Sequence, residues 1–374
     1  MKAVLPAGSN AIRLWGLTPR ERLARIAARQ GLGWAESAGA GAGAGESPIV
    51  ANVDFVFDPA WLGFIGARPE HVVTCGGVPV LVGTDRLDAR LGAMLAMKEQ
   101  RPLVETAGLT IIAYEQADGI ENNELRKRER PFIGRLTPET VPALERASYF
   151  GAYKGVTDLL TKYLWPEWAL VLTRWAARLG ISPNQVTLAG AILCVLAAWL
   201  FYRGWYWTGL AAGLGFMVLD TVDGKLARCT ITASAFGNIF DHGIDLVHPP
   251  FWWWAWGVGL AVYGRPLPPW LLWWTLAAIV GGYVVQRLIE GAFIALFKIH
   301  IHVWRRFDSG FRLVTARRNP NMVILLAFLA AGRPDLGLVA VAAWTWICLL
   351  VHLVQLAQAL VVRAMGRPVV SWLA

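Results

Sequence analysis

Residues 220–245 read DTVDGKLARCTITASAFGNIFDHGID and lie between two strongly apolar stretches of the chain. This segment contains four aspartates, with Asp220 and Asp223 spaced i,i+3 and Asp241 and Asp245 spaced i,i+4. Each pair is therefore expected to lie on one face of a helix. Because an uncompensated carboxylate in an apolar environment has a large desolvation penalty, the four acids require a physical explanation.

The chain has the composition of a membrane protein. Of the 374 residues in the whole sequence, 56% are hydrophobic and 20 are Trp. A helix that crosses a bilayer needs about 20 mostly apolar residues, and the pattern predicts six such helices, of which the fifth is short. They are predicted at residues 185–202, 205–222, 233–262, 269–298, 320–332 and 336–362. Residues 181–374 are thus predicted to form an all-α six-helix transmembrane bundle.

The basic residues predict the orientation of this bundle, since Lys and Arg accumulate on the cytoplasmic side of membrane proteins. If the N-terminus is cytoplasmic, the outer connections carry Arg203, Arg265 and Arg333, and the inner connections carry a larger set. That set is Arg174, Arg178, Lys225, Arg228, Lys298, Arg305, Arg306, Arg312, Arg317, Arg318, Arg363 and Arg367. We therefore expect a multi-pass integral membrane protein whose aspartates and N-terminal domain face the cytoplasm.

The net charge of +9 is also typical of proteins that bind nucleic acid. No recognised nucleic-acid-binding motif accompanies the charge, so the expected partner is membrane lipid, whose headgroups attract basic residues.

The two aspartate pairs are predicted to meet at the cytoplasmic side of the bilayer, at the end of the second span and the start of the third. Four carboxylates at one point repel each other, and Mg²⁺ or Mn²⁺ relieves that repulsion because these hard cations prefer carboxylate oxygens and water. The alternative is that the acids pair with Lys225, Arg228 and other basic residues in a solvated loop. Gly224, Ala227 and Gly237 accompany the acids. Small residues admit a flat ligand, but they also permit close helix packing.

The same segment matches, at every fixed position, the signature DxxDGxxARx8GxxxDxxxD of the CDP-alcohol phosphotransferases, also called CDP-alcohol phosphatidyltransferases. The resemblance implies a six-helix membrane transferase of phospholipid or related polar-lipid biosynthesis. Such an enzyme moves a substituted phosphate from a CDP-alcohol to an acceptor hydroxyl and releases CMP. The resemblance also suggests a homodimer.

The resemblance assigns roles to individual residues. Asp220, Asp223 and Asp241 are expected to bind two Mg²⁺ or Mn²⁺ ions, and Asp245 is expected to be the general base and to be able to bind metal as well. The expected nucleotide-binding residues are Asp220, Gly224, Ala227, Arg228 and Gly237.

A phosphate-bearing or polar acceptor needs cationic side chains on the same side of the membrane. The candidates are Arg317, Arg318 and Lys154. The two arginines rank first, because guanidinium groups bind phosphate through two parallel hydrogen bonds. The alternative role for the arginines is to orient the bundle. Arg287 and Glu290, spaced i,i+3, predict a buried ion pair. His300 and His302 are residue types that ligate metal, but a two-residue spacing on a helix points them apart, so both are predicted to be interfacial.

Residues 1–135 predict a soluble α/β domain, with short β-like runs at 49–57, 71–74 and 109–114. Its start, MKAVLPAGSNAIRLWGLTP, resembles the opening of sugar-nucleotide nucleotidyltransferases, and Asp54 occupies the place of a metal-binding aspartate in them. The loop is poor in glycine and the usual proline-lysine pair is absent, so we expect a degenerate nucleotidyltransferase-like domain. The repeat AGAGAGAG at 38–45 predicts a flexible loop.

Residues 136–180 are predicted to be a linker with interfacial amphipathic helices. In PEWALVLTRWAARL, residues 166–179, Trp168 and Trp175 lie at helical spacing beside Arg174 and Arg178, a pattern typical of a helix along a membrane surface. An amphipathic helix packed on the soluble domain is the alternative.

Two other functions remain open on the sequence. A divalent-cation transporter would use the aspartates as its ion site, and a bifunctional cytidylyltransferase/phosphotransferase would also make its own CDP-alcohol.

Overall fold

The computed structural model describes residues 2–36, 48–103, 108–123 and 125–374. The flexible loop predicted at 38–45 lies outside these residues. Contacts divide the chain into two units. The first comprises Met1–Tyr153, Arg174–Gly180 and Lys225–Thr232, and the second comprises Lys154–Thr173, Ile181–Gly224 and Ala233–Ala374.

The first unit is an α/β structure, as predicted. Its described strands are β1 (Ala3–Ala7), β2 (Gly33–Trp34), β3 (Ile49–Asn52), β4 (Phe55–Phe57), β5 (His71–Cys75), β6 (Val78–Gly83), β7 (Thr110–Ala113), β8 (Ile120–Asn122), β9 (Lys127–Glu129) and β10 (Ile133–Arg135). Its helices are α1 (Pro19–Arg29), α2 (Ala60–Gly66), α3 (Leu87–Glu99) and α4 (Val141–Gly151).

Six of these strands form one mixed sheet in the order β2-β1-β3-β6-β5-β7. β1 is parallel to β2 and β3, β6 is antiparallel to β3 and β5, and β5 is parallel to β7. Side chains alternate between the two faces of a strand. In β3, Ile49 and Ala51 therefore pack with α1 and α2, whereas Val50 packs with α3. Both faces of the sheet are covered by helices.

The sequence Leu17-Thr18-Pro19 starts α1 at a defined residue. The Thr18 hydroxyl accepts from the Glu21 backbone N–H at 3.3 Å, and the Glu21 carboxylate accepts from the Thr18 N–H at 2.8 Å. This reciprocal capping satisfies two N–H groups that a helix start leaves unpaired. It also fixes the direction in which Arg22, on the next turn, projects.

The second unit is helical. The helices that follow α4 in the chain are α5 (Leu159–Tyr163), α6 (Pro166–Arg178), α7 (Pro183–Tyr202), α8 (Tyr206–Cys229), α9 (Ala235–Tyr263), α10 (Pro269–Phe297), α11 (Arg306–Phe311), α12 (Arg318–Ala330) and α13 (Pro334–Ala364). The last residues of α6 and of α8 belong to the first unit.

Three helices in the described part of the chain are long and apolar enough to cross a membrane, namely α7, α10 and α13. Each of the six predicted apolar segments coincides with a helix, and a helical C-terminal region is therefore confirmed. α8 and α9 have 24 and 29 residues but contain the aspartates. α12 has only 13 residues, which at 1.5 Å each make it shorter than the hydrocarbon core.

The helix α6 exposes an apolar stripe. Trp168 is 57% exposed, Leu172 is 38% exposed and Trp175 is 61% exposed, whereas Ala169 and Thr173 are buried. Exposed Trp and Leu on one helix face are typical of an element that lies at a membrane surface.

Candidate active site

The structure brings together aspartates from two helices that are adjacent in the chain. Asp220 and Asp223 lie in α8, and Asp241 and Asp245 lie in α9. Carboxylate oxygens of Asp220, Asp241 and Asp245 lie within 4.8 Å of one another. Ser234 caps the start of α9 by accepting from the Gly237 N–H at 3.0 Å, and this fixes where the first turns of that helix place their acids.

Asp223 is the most buried of the four acids, with 3% of its surface exposed. Its Oδ2 accepts a hydrogen bond from Thr187 Oγ1 in α7 at 2.6 Å. Its Oδ1 is buried without a hydrogen-bond partner among the described residues. Because buried carboxylate oxygens are nearly always satisfied, this oxygen is a position that a cation would satisfy.

Arg318, at the start of α12, links the two pairs of acids. Its Nη2 donates to Asp220 Oδ2 at 2.9 Å, and its Nη1 donates to Asp245 Oδ1 at 2.7 Å. The Arg318 side chain is 11% exposed, against 44% for the side chain of Asp245. One guanidinium thus neutralises part of the acidic cluster, and Asp245 remains its most accessible member.

The small residue Gly237 packs against α7. A Cβ atom at this position would lie 2.8 Å from Asn184 Oδ1 and 3.1 Å from Ser234 Oγ. A substitution would therefore force a shift of the α7–α9 contact. This observation favours the packing role for Gly237 and leaves its nucleotide-binding role as a prediction.

Arg317 does not contact the aspartates but belongs to a second cluster. Its Nη2 donates to Glu290 Oε1 at 2.7 Å, and Glu290 Oε1 also accepts from Arg287 at 2.8 Å, as the sequence predicted. His302 is 2% exposed and lies 3.2 Å from Glu290, and its interfacial position stays a prediction.

The other predicted site residues lie in different places. Lys154 is half-buried in the segment between α4 and α5. Gly224 and Ala227 lie in α8, on the turns that follow Asp220. Arg228 is close to the end of α8, and its side chain lines a cavity of the first unit.

Two of the contacts at this site could not be predicted from the sequence. Thr187 lies in the second turn of α7, and neither its residue type nor its spacing marks it as a partner of Asp223. Arg318 was predicted to bind phosphate, but its contacts with Asp220 and Asp245 span 98 and 73 positions of sequence.

The donor set fits a hard divalent cation. Converging carboxylates with one unsatisfied buried oxygen are the ligands that Mg²⁺ and Mn²⁺ prefer. Asp220, Asp241 and Asp245 supply the converging oxygens, and Asp223 Oδ1 is the free acceptor. The arrangement of these acids is therefore suited to a divalent metal.

Comparison with known proteins identifies this region. Residues 180–315 match the family model described as CDP-alcohol phosphatidyltransferase. Residues 180–315 are thus similar to the CDP-alcohol phosphatidyltransferase family. The CDP-alcohol phosphatidyltransferase match includes all four aspartates and ends just before Arg317 and Arg318.

Curated relatives carry names of the same class. The chain is 28% identical over 186 residues to cholinephosphotransferase 1 of Gallus gallus, covering 47% of this chain and 48% of the relative. It is 30% identical over 186 residues to cholinephosphotransferase 1 of Bos taurus, covering 47% and 40%. Over 70 residues it is 41% identical to the archaetidylinositol phosphate synthase of Pyrococcus horikoshii, covering 18% and 37%. The chain thus spans less than half the length of each of these relatives.

Proposed function

We propose that this chain is an integral membrane CDP-alcohol phosphotransferase. It transfers a substituted phosphate from a CDP-alcohol to an acceptor hydroxyl and releases CMP, in phospholipid or related polar-lipid biosynthesis. The observation that carries the proposal is the convergence of Asp220, Asp241 and Asp245 from α8 and α9, in a region that matches the family model. The names of the relatives support a lipid product.

Asp245 is proposed as the general base. A base must lie within hydrogen-bond reach of the hydroxyl whose proton it accepts, and Asp245 is the acid with the most exposed side chain, at 44%. Its Oδ1 is held by Arg318. The acceptor hydroxyl would lose its proton to this carboxylate as its oxygen attacks the donor phosphorus.

The remaining acids are proposed to hold a two-metal centre of Mg²⁺ or Mn²⁺, with Asp245 able to contribute. When bound, these cations would stabilise negative charge on the departing CMP. Thr187 holds Asp223 in position through the 2.6 Å hydrogen bond to its Oδ2. Asp220, Gly224, Ala227, Arg228 and Gly237 are proposed to contact the nucleotide, as the family motif implies.

Arg318, Arg317 and Lys154 are proposed to bind a phosphate or the acceptor. Arg318 is the best placed of the three, because its guanidinium already lies between two acids of the site. A bidentate guanidinium can exchange a carboxylate for a phosphate oxygen with little change in geometry.

The finer architecture is also a proposal. Residues 1–135 would form a degenerate nucleotidyltransferase-like domain, 136–180 a linker with interfacial helices, and 181–374 six transmembrane helices in a possible homodimer, with the active site facing the cytoplasm. Asp54 supports the degenerate state of the first domain. Its two oxygens accept hydrogen bonds from the side-chain amides of Asn10 at 3.3 Å and Gln100 at 2.8 Å. These neutral groups occupy the carboxylate that would have to bind a metal ion in an active nucleotidyltransferase.

The test is CMP release by the purified full chain, measured with a panel of CDP-alcohols, lipid acceptors and Mg²⁺ or Mn²⁺. We expect one donor to give CMP and Asp245→Asn to lower kcat by about 100-fold or more, the usual contribution of a general base. Asp85→Asn, at an exposed loop position, is the matched control and should keep full activity. Movement of divalent cations without CMP release from any donor would contradict the proposal and favour a transporter.

A further inference from the structure

The end of α8 lies in the first unit, to which Lys225–Thr232 belong. This end carries Ala227 and Arg228, two of the residues that are proposed above to contact the nucleotide. The contacts that hold the end of α8 therefore determine where these two residues lie.

A tight turn with a left-handed residue ends α8. The Thr232 N–H donates to the Ala227 oxygen at 2.8 Å, and the Ile231 N–H donates to the Arg228 oxygen at 3.4 Å. These two bonds form a Schellman motif, whose left-handed residue is usually Gly. Here it is Ile231, with φ of 54°. A β-branched residue is strained in this conformation and stays in it only where its surroundings hold it there.

The side chain of Ile231 is one of the groups that hold this turn. It is 8% exposed and belongs to the same hydrophobic core as Leu23 and Ile26 of α1. Burial of an apolar side chain of this size is favourable and offsets the strain of the left-handed backbone. The turn after α8 is thus anchored in the core of the first unit.

Two arginines of α1 bind the last carbonyl oxygens at this helix end. Arg22 Nη1 donates to the Cys229 oxygen at 2.7 Å, and Arg25 Nη1 donates to the Thr230 oxygen at 2.9 Å. The last carbonyl groups of a helix lack partners within the helix and carry partial negative charge, so cations stabilise them. Helix α1 therefore supplies a cap that the sequence of α8 does not contain.

Lys225 connects the same helix end to the residues that follow α4. It is 3% exposed, and its Nζ donates to the Ala152 oxygen at 2.8 Å. The Nζ atom also lies 3.2 Å from the centre of the Tyr153 ring. A buried ammonium group over an aromatic face is held by a cation–π interaction. The last turns of α8 are thus bound on both sides of Ala227 in the sequence.

We propose that the first unit positions the nucleotide site, because its contacts fix the end of α8 before a nucleotide binds. This role rests on the proposed function, since the nucleotide contacts of Ala227 and Arg228 are those that the family motif implies. A preorganised site binds more tightly, because its residues need no further ordering when the ligand arrives. The first unit would have this role without any nucleotidyltransferase activity of its own. Arg22 and Arg25 would be positioning residues, because they act through the backbone of α8.

The test is isothermal titration of the detergent-solubilised full chain with CMP in the presence of Mg²⁺. Arg22→Met removes the donor to the Cys229 oxygen and should raise the Kd for CMP by about 10-fold, the size of a lost hydrogen bond to a charged group. Arg25→Met, at an exposed position, should raise the Kd less. Arg22→Lys keeps the charge and a donor and should recover part of the affinity.

Arg20→Met is the matched control. Arg20 lies in the same helix, is exposed and binds Glu36 at 2.6 Å, so its replacement should leave the Kd unchanged. Thermal melting shows whether each variant is folded at the temperature of the titration. Misfolded protein lowers the number of binding sites, whereas a displaced helix end raises the Kd. The exposed Arg25 provides the readout if Arg22→Met does not fold.

Unchanged CMP affinity in the folded Arg22 and Arg25 variants would overturn the proposal, and so would a chain that does not bind CMP at all. An equal loss of affinity in Arg20→Met would also overturn it. The proposed function fails in a different way, because the titration contains no donor. A chain whose CMP affinity depends on Arg22 but which releases CMP from no CDP-alcohol would have a positioned nucleotide site without the transferase reaction.

Discussion

Arg318 Nη1 lies 2.7 Å from Asp245 Oδ1, so the acid proposed as the general base is held by a buried guanidinium. The same side chain reaches Asp220 Oδ2 at 2.9 Å and thereby connects α8, α9 and α12. A charge-assisted contact of this kind orients a carboxylate. Arg318 is thus expected to position the base and to compensate the negative charge of the cluster.

Replacement of Arg318 tests this role. Arg318→Ala should lower kcat for CMP release by about 10- to 100-fold, because a preorganised charged group at the reacting centre is lost. Arg318→Lys keeps the charge but loses the fork, so it should recover part of the rate. Arg265→Ala, in the α9–α10 connection, is the control, because it also removes an arginine but at a position outside the acidic cluster. Full activity in Arg318→Ala would show that the contact has no role in the reaction.

Thr187 is expected to act through Asp223. Thr187→Val removes the donor to Asp223 Oδ2 while keeping the shape of the side chain, and the apparent affinity for Mg²⁺ should fall by about 10-fold, as is usual for groups that orient a metal ligand. Thr187→Ser keeps the hydroxyl and should keep the affinity. The measurement is the Mg²⁺ dependence of CMP release. An unchanged Mg²⁺ dependence in the valine variant would mean that Asp223 needs no support from α7.

Removal of divalent cations should affect stability as well as activity. Three converging carboxylates repel each other, and a bound cation stabilises the folded state by mass action. Mg²⁺ or Mn²⁺ should therefore raise the melting temperature of the chain, and EDTA should reverse the shift. The shift should be reduced in Asp241→Asn and retained in Asp85→Asn. An equal shift in both variants would place the stabilising ion elsewhere.

Gly237 offers a way to separate packing from ligand binding. Gly237→Ala would place a Cβ atom 2.8 Å from Asn184 Oδ1, and such overpacking destabilises a protein by about 1–3 kcal/mol. The double variant Gly237→Ala/Asn184→Ala should recover the melting temperature, because the clashing amide is gone. If CMP release also recovers, Gly237 serves packing. If the melting temperature recovers but CMP release does not, the nucleotide needs the space that the alanine side chain at position 237 fills.

The sequence predicted those features of the site that depend on local spacing. The i,i+3 and i,i+4 spacings placed the aspartates on helix faces, and helices α8 and α9 contain them. Thr187 and Arg318 could not be predicted to contact the acids. Their contacts depend on how α7 and α12 pack against α8 and α9, which no local pattern contains.

The N-terminal unit illustrates the same limit. Short β-like runs predicted strands near 49–57 and 71–74, because a strand covered on both faces is apolar at most positions. The sheet order, in which β6 lies between β3 and β5, depends on pairings between distant segments. The contact of Arg22 with the Cys229 backbone is likewise beyond any local pattern, since it spans 207 positions of sequence.

The most direct test of the central claim is anomalous X-ray scattering from crystals of the full chain grown with Mn²⁺ and a CDP-alcohol. We predict two manganese peaks among the carboxylates of Asp220, Asp223, Asp241 and Asp245, next to the donor phosphates. A donor bound at this site without manganese, or manganese bound only beside Glu290 and His302, would contradict the account.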